Sequence, residues 1–242
     1  MKIGLRRLFV LALVCFFTLI LAACGGNDQE GVQSAMAPGT EKVSPLVALP
    51  WEQTGDAKLK ILSSNTFRTG SGEFVYLVGE VQNTGAEAIG LVTVTATALN
   101  DQGTAVDTRK LEGLLTIVPA GGKVPYSGAM DARDAVKYTL QVEAKPAPAV
   151  PQNKLEVQNE SATEPKAGYV WLSGEVKNSG TVAAKSVQVI GVLYNEKGGV
   201  VDAARQDLEG TLAPGATAAF KFNVNHRDSK THVLMAQGED GQ

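Results

Sequence analysis

The sequence is poor in the residues that do chemistry. Its 242 residues hold two cysteines and two histidines, and aromatic residues make up 6%. Neither His226 nor His232 stands beside a Ser, Cys or Asp in a nucleophile motif. Gly-x-Ser-x-Gly, His-Glu-x-x-His and a phosphate-binding loop are all missing, which removes the motif-legible routes to acyl transfer, zinc hydrolysis and nucleotide binding. No stripe of Lys and Arg runs through the chain, so nucleic acid is not an expected partner, because phosphate contacts need clustered cations. Helical periodicity is missing as well.

What is present begins at the N-terminus. Met1-Lys-Ile-Gly-Leu-Arg-Arg7 is basic, and an apolar run extends from Leu8 to Ala23. A basic segment followed by a short apolar one reads as a secretory signal. The run is shorter than the roughly twenty residues of a membrane-spanning helix. It closes on Leu21-Ala-Ala-Cys24-Gly-Gly26, which resembles the bacterial lipobox, the site cleaved before its cysteine by the lipoprotein signal peptidase. The resemblance implies a signal peptide over 1–23 and lipidation of Cys24. Two or three acyl chains at about 0.8 kcal/mol per buried methylene give lasting attachment to a membrane. Cys15 leaves with the signal, so the exported chain has no disulfide and must rest on its core. Lys2, Arg6 and Arg7 leave too; of 22 basic and 25 acidic residues, 19 and 25 remain, a net charge of −6.

Residues 24–56 are rich in Gly, Pro, Ala, Ser and Gln and read as a disordered tether. About thirty such residues span about 30 Å. Trp51, near the end of the tether, is positioned to dock onto the first domain. Beyond residue 56 the chain repeats itself. Phe74-Val-Tyr-Leu-Val-Gly-Glu-Val-Gln-Asn-Thr-Gly85 matches Tyr169-Val-Trp-Leu-Ser-Gly-Glu-Val-Lys-Asn-Ser-Gly180, and Asn100-Asp-Gln-Gly103 matches Asn195-Glu-Lys-Gly198. Fourteen of the thirty-four residues over 74–107 recur 95 positions later without a gap, too many for chance. Two domains are expected, 57–144 and 153–238, joined by Lys145-Pro-Ala-Pro-Ala-Val-Pro-Gln152. Such a proline-rich linker favours an extended, stiff form that would hold the domains end to end.

Each repeat alternates as half-buried strands do. Val75, Leu77, Gly79 and Val81 share one face, as do Val170, Leu172, Gly174 and Val176. Gly79 and Gly174 mark a bulge or a close backbone approach. Asn83-Thr-Gly85 and Asn178-Ser-Gly180 carry turn residues that tolerate positive φ. Asn195-Glu-Lys-Gly198 reads as a hairpin with its glycine left-handed, and Pro214-Gly215 as the centre of a type II turn. Seven strands are expected in repeat two, near 153–160, 168–178, 184–195, 199–206, 208–213, 216–225 and 231–237. Short strands at this spacing predict an all-β chain of two tandem Ig-like antiparallel β-sandwich domains, since one sheet alone would leave its apolar face wet.

The pattern Leu-x-Gly-x-Val-x-Asn-x-Gly, then Leu193-Tyr-Asn195 with a glycine hairpin, then Leu-x-Pro-Gly and Phe220, resembles the FxLYD domain, a small extracellular β-sandwich of bacterial and archaeal surface proteins. The signature departs from the family in both repeats. Gly191-Val-Leu-Tyr-Asn195 lacks the first aromatic, and Ala96-Thr-Ala-Leu-Asn100 lacks the Tyr as well. The family has no general activity, so the resemblance implies fold and location but no reaction.

The candidate binding residues are Tyr76 and Trp171, equivalent aromatics on the faces opposite the expected cores, where aromatics can anchor a protein or stack on sugars. His232 with Met235 as a soft-metal pair, and Asp101 with Asp107 or Glu196 with Asp202 as a calcium site, are weaker than the readings of plain strand residues and solvated charge. The expected function is that of a non-enzymatic, membrane-anchored lipoprotein outside the cytoplasm, needing no cofactor. It sits on the cell membrane, or on an outer membrane facing the periplasm, and binds or spaces an envelope protein or polysaccharide. The alternatives are an accessory subunit positioning an envelope transporter and, further off, a hydrolase or metal carrier.

Overall fold

The computed structural model describes residues 46–68, 74–148, 154–166, 168–225 and 229–241. The signal, Cys24, most of the tether, His226 and residues 149–153 of the linker lie outside them. The described chain is all β. Thirteen strands run β1 (Trp51–Gly55), β2 (Leu59–Arg68), β3 (Val75–Asn83), β4 (Ile89–Leu99), β5 (Ala105–Glu112), β6 (Lys123–Met130), β7 (Lys137–Pro146), β8 (Leu155–Lys166), β9 (Tyr169–Asn178), β10 (Ala183–Tyr194), β11 (Val200–Asp207), β12 (Thr217–Asn225) and β13 (Thr231–Gly241).

The duplication seen in the sequence is repeated in the topology. Repeat one pairs β2-β3-β6 in one sheet and β7-β4-β5 in the other; repeat two pairs β8-β9-β12 and β13-β10-β11 in the same order. All these pairings are antiparallel. The expected strand over 208–213 does not form. Gly210 turns with φ 79°; on either side of it the Leu208 N–H donates to the Val187 carbonyl and Leu212 forms a bridge to Ala184, with no continuous ladder between them. Repeat one does likewise through Val118 and Ile89. Each repeat therefore has six equivalent strands. Repeat one adds a seventh, β1, which lies parallel to β7 with Trp51 opposite Tyr138. Thus 51–55, within the stretch read as tether, belongs to the first sandwich.

The motif glycines are required by packing. Gly79 faces Tyr126 across the ladder, and Gly174 faces Phe220. A Cβ on Gly79 would collide with the Ser63 carbonyl and the Tyr126 hydroxyl, and one on Gly174 would lie 2.8 Å from the Phe220 ring and 2.9 Å from the Gln158 carbonyl. The close approach is thus a cross-strand aromatic ring filling the space over a bare backbone, an arrangement that pins register. The motif asparagines act differently from expectation. Neither Asn83 nor Asn178 has positive φ. Both are buried hubs. Asn178 Nδ2 donates to the carbonyls of Val182 and Leu212 at 2.8 Å each, and its Oδ1 accepts the Gly180 N–H at 2.9 Å. Asn83 repeats this with Glu87, Val118, Pro119 and Gly85. One side chain so ties the turn after β3 or β9 to the crossing segment that closes the sandwich. The hairpin glycines are left-handed as expected, with φ 77° at Gly103, 75° at Gly198 and 76° at Gly215.

The repeats do not stand end to end. They stack face to face through a continuous core. Ile190, Val192, Val200 and Ala203 of repeat two are buried in one cluster with Val78, Leu77 and Phe67 of repeat one. Leu46, just before β1, packs against this cluster and also against Val170, Leu172 and Leu193 within repeat two.

Two substitutions test this packing by urea unfolding. Gly174→Ala should lower stability by about 1–3 kcal/mol through overpacking against Phe220. Asn178→Ala should cost about 3 kcal/mol, because it orphans one N–H and two carbonyls. Lys185→Ala, an exposed control, should stay within about 0.5 kcal/mol.

Candidate functional site

The two candidate aromatics occupy equivalent strands, but the structure gives them different surroundings. In repeat one, the outward residues of β3 are Tyr76, Val78 and Glu80. Val78 is fully buried and Glu80 is 2% exposed, because the sheet carrying β10 and β11 covers them. The buried Glu80 carboxylate accepts the Tyr194 hydroxyl at 2.6 Å and pairs with Lys123 Nζ at 3.2 Å. Beside it, Asn65 Nδ2 donates to the Val200 carbonyl at 2.8 Å, and the Val200 N–H donates to Ser63 Oγ at 3.2 Å. At the margin, Gln237 Oε1 accepts the N–H groups of Thr116 and Ile117, while its Nε2 donates to the Ile117 carbonyl. Tyr76 is half-buried at the end of this face, its ring stacked on Phe67 with centroids 5.1 Å apart and planes 1° from parallel. Its face is therefore occupied by the rest of the molecule.

Trp171 stands on the quasi-equivalent face of β8-β9-β12. Tyr169 meets its ring edge-on, with centroids 6.0 Å apart at 85°. Lys221 Nζ lies 5.1 Å from the Trp171 centroid, a cation–π contact. Thr163 and Asn223 are its cross-strand partners, and both are exposed. Ser173 and Glu175 come next on the same face, where Glu175 accepts Asn159 Nδ2 at 2.9 Å. No described residue of the other repeat hydrogen-bonds to this face. Where repeat one has the buried Val78, repeat two has Ser173; where repeat one has Glu80 under a tyrosine, repeat two has Glu175 beside an asparagine. The result is a polar surface with a half-buried aromatic pair and a cation at one end, suited to stacking and hydrogen bonding more than to apolar docking.

The sequence held a signal for the difference. The outward residues of β4 are Thr93, Thr95 and Thr97; their counterparts on β10 are Gln188, Ile190 and Val192, inside the run Val187–Tyr194. A strand whose alternation gives way to continuous apolar residues is buried on both faces. Tyr194 has Leu99 as its counterpart, so only repeat two carries the hydroxyl that reaches Glu80.

The weaker candidates resolve into structural roles. Met235 packs against the core cluster shared by the repeats, while the half-buried His232 lies 3.9 Å from Glu160, so the two do not converge. Asp202 is buried and accepts the Ala203 and Asn225 N–H groups and Asn225 Nδ2, holding β11 to β12. The solvated-charge reading therefore fails for it. Its counterpart Asp107 accepts the Asp131 N–H at 2.8 Å and binds Arg109. Burial alone would push the Asp107 carboxyl up; the Asp131 and Thr108 N–H groups and Arg109 outweigh it and hold the carboxyl below its ordinary range. Among the described residues no group of three His, Cys, Asp or Glu side chains is placed to hold a metal ion.

No family model matches the chain, and no curated protein matches it. Among solved structures, a transglutaminase of the red sea bream is 12% identical, over 76% of this chain and 29% of that one, with a TM-score of 0.24. The chain spans less than a third of that protein, and a likeness of this degree carries no argument.

Burial raises the phenol of Tyr138 to about 12, and burial, with Glu80 adding to it, pushes Tyr194 up as well. Unfolded tyrosines titrate near 10. The native state thus keeps protons that the unfolded state gives up, so stability is full below pH 10 and falls as pH rises toward 12. Urea midpoints at pH 8, 10 and 11 should decline in that order. Tyr194→Phe should lose about 1–3 kcal/mol at pH 8, because Glu80 loses its donor, and should show a shallower alkaline decline.

Proposed function

We propose that the chain is a membrane-anchored lipoprotein working outside the cytoplasm, held by acyl chains on Cys24, and that its two FxLYD-like repeats form a non-enzymatic binding module. The observation that carries this reading is the unequal use of two equivalent faces. The Tyr76 face is consumed in joining the repeats. The Trp171 face presents an aromatic pair, Lys221 and exposed hydroxyl and amide groups without a described partner element. A duplicated sandwich that spends one copy of a surface on itself and leaves the other outward is economical as a display body. The partner is an envelope component, and a polysaccharide suits an aromatic pair rimmed by Ser, Thr and Asn better than a large apolar protein does.

A second reading, an accessory subunit that positions an envelope transporter, draws on the shared core of the repeats, which makes them a single spacer with no need of a flexing hinge. The two readings differ at Trp171. The binding module needs the ring; the spacer does not.

Two experiments test the proposal. Cys24→Ser should abolish incorporation of radiolabelled palmitate into the chain in whole cells, and undiminished labelling would contradict lipidation at that residue. Trp171→Ala should abolish binding of the mature chain to purified envelope polysaccharide in a pull-down while leaving the unfolding free energy within about 1 kcal/mol of wild type. Equal retention of the two proteins would remove the Trp171 surface from the account.

A further inference from the structure

The duplication exposes a second difference between the repeats, at a sheet edge. In repeat one the edge of β7 is filled by β1, which runs parallel to it over Tyr138–Val142. The Gln53 side chain fixes that strand by donating to the Leu59 carbonyl at 2.5 Å and accepting the Ile61 N–H at 2.8 Å. β1 so closes the gap between β7 and β2.

In repeat two the equivalent edge belongs to β13. Lys58-Leu59 and Lys154-Leu155 open β2 and β8 with a spacing of 96, which aligns Trp51–Gly55 with Ala147-Pro-Ala-Val-Pro151. Proline has no N–H to give a ladder and enters a paired strand only where that N–H is not needed, as Pro125 does in the edge strand β6. Among the described residues β13 pairs with β10 alone and forms the edge of its sheet. Its stretch His232–Ala236 corresponds to Tyr138–Val142, runs in continuous register with β10 and contains neither bulge nor proline. Inward, Leu234 and Ala236 pack against the core of repeat two as Leu140 and Val142 pack against that of repeat one. Val233, midway along the edge, is 44% exposed. β8 lies along part of this side, with Leu155 against Gly238 and the Glu160 carboxylate 3.9 Å from His232 Nε2.

A straight edge with unpaired backbone groups is a template for another strand. We propose that the β13 edge at His232–Ala236 takes an extended, proline-free peptide segment of a partner protein, added as a parallel strand in the place that β1 fills in repeat one. Main-chain hydrogen bonds would supply the affinity. Leu234 and Ala236 would favour an apolar or aromatic residue at alternate positions of the segment, as Trp51 occupies in β1. This site is separate from the Trp171 face and does not depend on what that face binds.

The test uses the purified mature chain and an N-acetylated synthetic peptide with the sequence of residues 51–56, Trp-Glu-Gln-Thr-Gly-Asp. Saturable binding is expected, with the largest backbone amide NMR shifts at 232–236. Methylating the peptide's backbone nitrogens at the Glu and Thr positions should weaken binding about tenfold or more if ladder bonds carry it, and methylating the Trp and Gln positions covers the opposite hydrogen-bonding phase. Absence of binding, shifts centred instead on 138–142, or equal binding of both methylated peptides would overturn the proposal. A concentration-dependent dimer of the chain alone that protects the amides of 232–236 would assign the edge to a second copy and would overturn it too.

Discussion

A buried carboxylate organises the molecule. Glu80 is withdrawn from water almost completely, and an isolated charge in that position would be strongly unfavourable. It is tolerated because Tyr194 comes from the other repeat to donate a hydroxyl and Lys123 reaches in from the margin. Removing either repeat from the other would leave those groups to water and expose Val78, Ile190 and Val192 together. The carboxylate therefore acts less as a source of net stability than as a specifier of register. It fixes which face of repeat two meets which face of repeat one, and Asn65 and Ser63 fix the height of Val200 beside it.

The other asymmetries stem from this stacking and from the two leader segments. Because one sheet of repeat two is spent on the interface, its outward strand residues turn apolar, and the sheet behind it is left with Trp171, Lys221 and a polar field. Because β1 precedes repeat one, the first sandwich has a closed side. Prolines stand at the aligned place before repeat two, and among the described residues β13 is at the edge of its sheet. A duplicated sequence has thus produced two bodies alike in topology and unlike in what they present.

Much of the fold was legible in the amino acids. The offset of 95, the alternation of Val75–Val81 and Val170–Val176, and the glycines at 103, 198 and 215 led directly to strands and turns, since these depend on local sterics. The roles of Gly79 and Asn178 were half legible. Their positions signalled a special backbone, while the Phe220 ring and the carbonyls of Val182 and Leu212 that explain them are brought there by tertiary pairing. The interface was hidden on repeat one, where Glu80 sits at a position that alternation gives to solvent; on repeat two the apolar run Val187–Tyr194 marks a covered face without showing what covers it. β1 was hidden for a different reason: Trp-Glu-Gln-Thr-Gly has little β-branched content, and its place comes from Gln53 gripping β2. Of the two candidate aromatics, sequence found the equivalent positions, and only the stacking of the repeats separates the covered Tyr76 from the presented Trp171.

The central claim is that Glu80, Tyr194 and the core around them make two repeats into one cooperative body. Differential scanning calorimetry of the mature chain tests it most directly. The account predicts a single transition whose calorimetric and van't Hoff enthalpies agree. Two resolved transitions, or a van't Hoff enthalpy near half the calorimetric value, would show repeats that unfold independently and would contradict it.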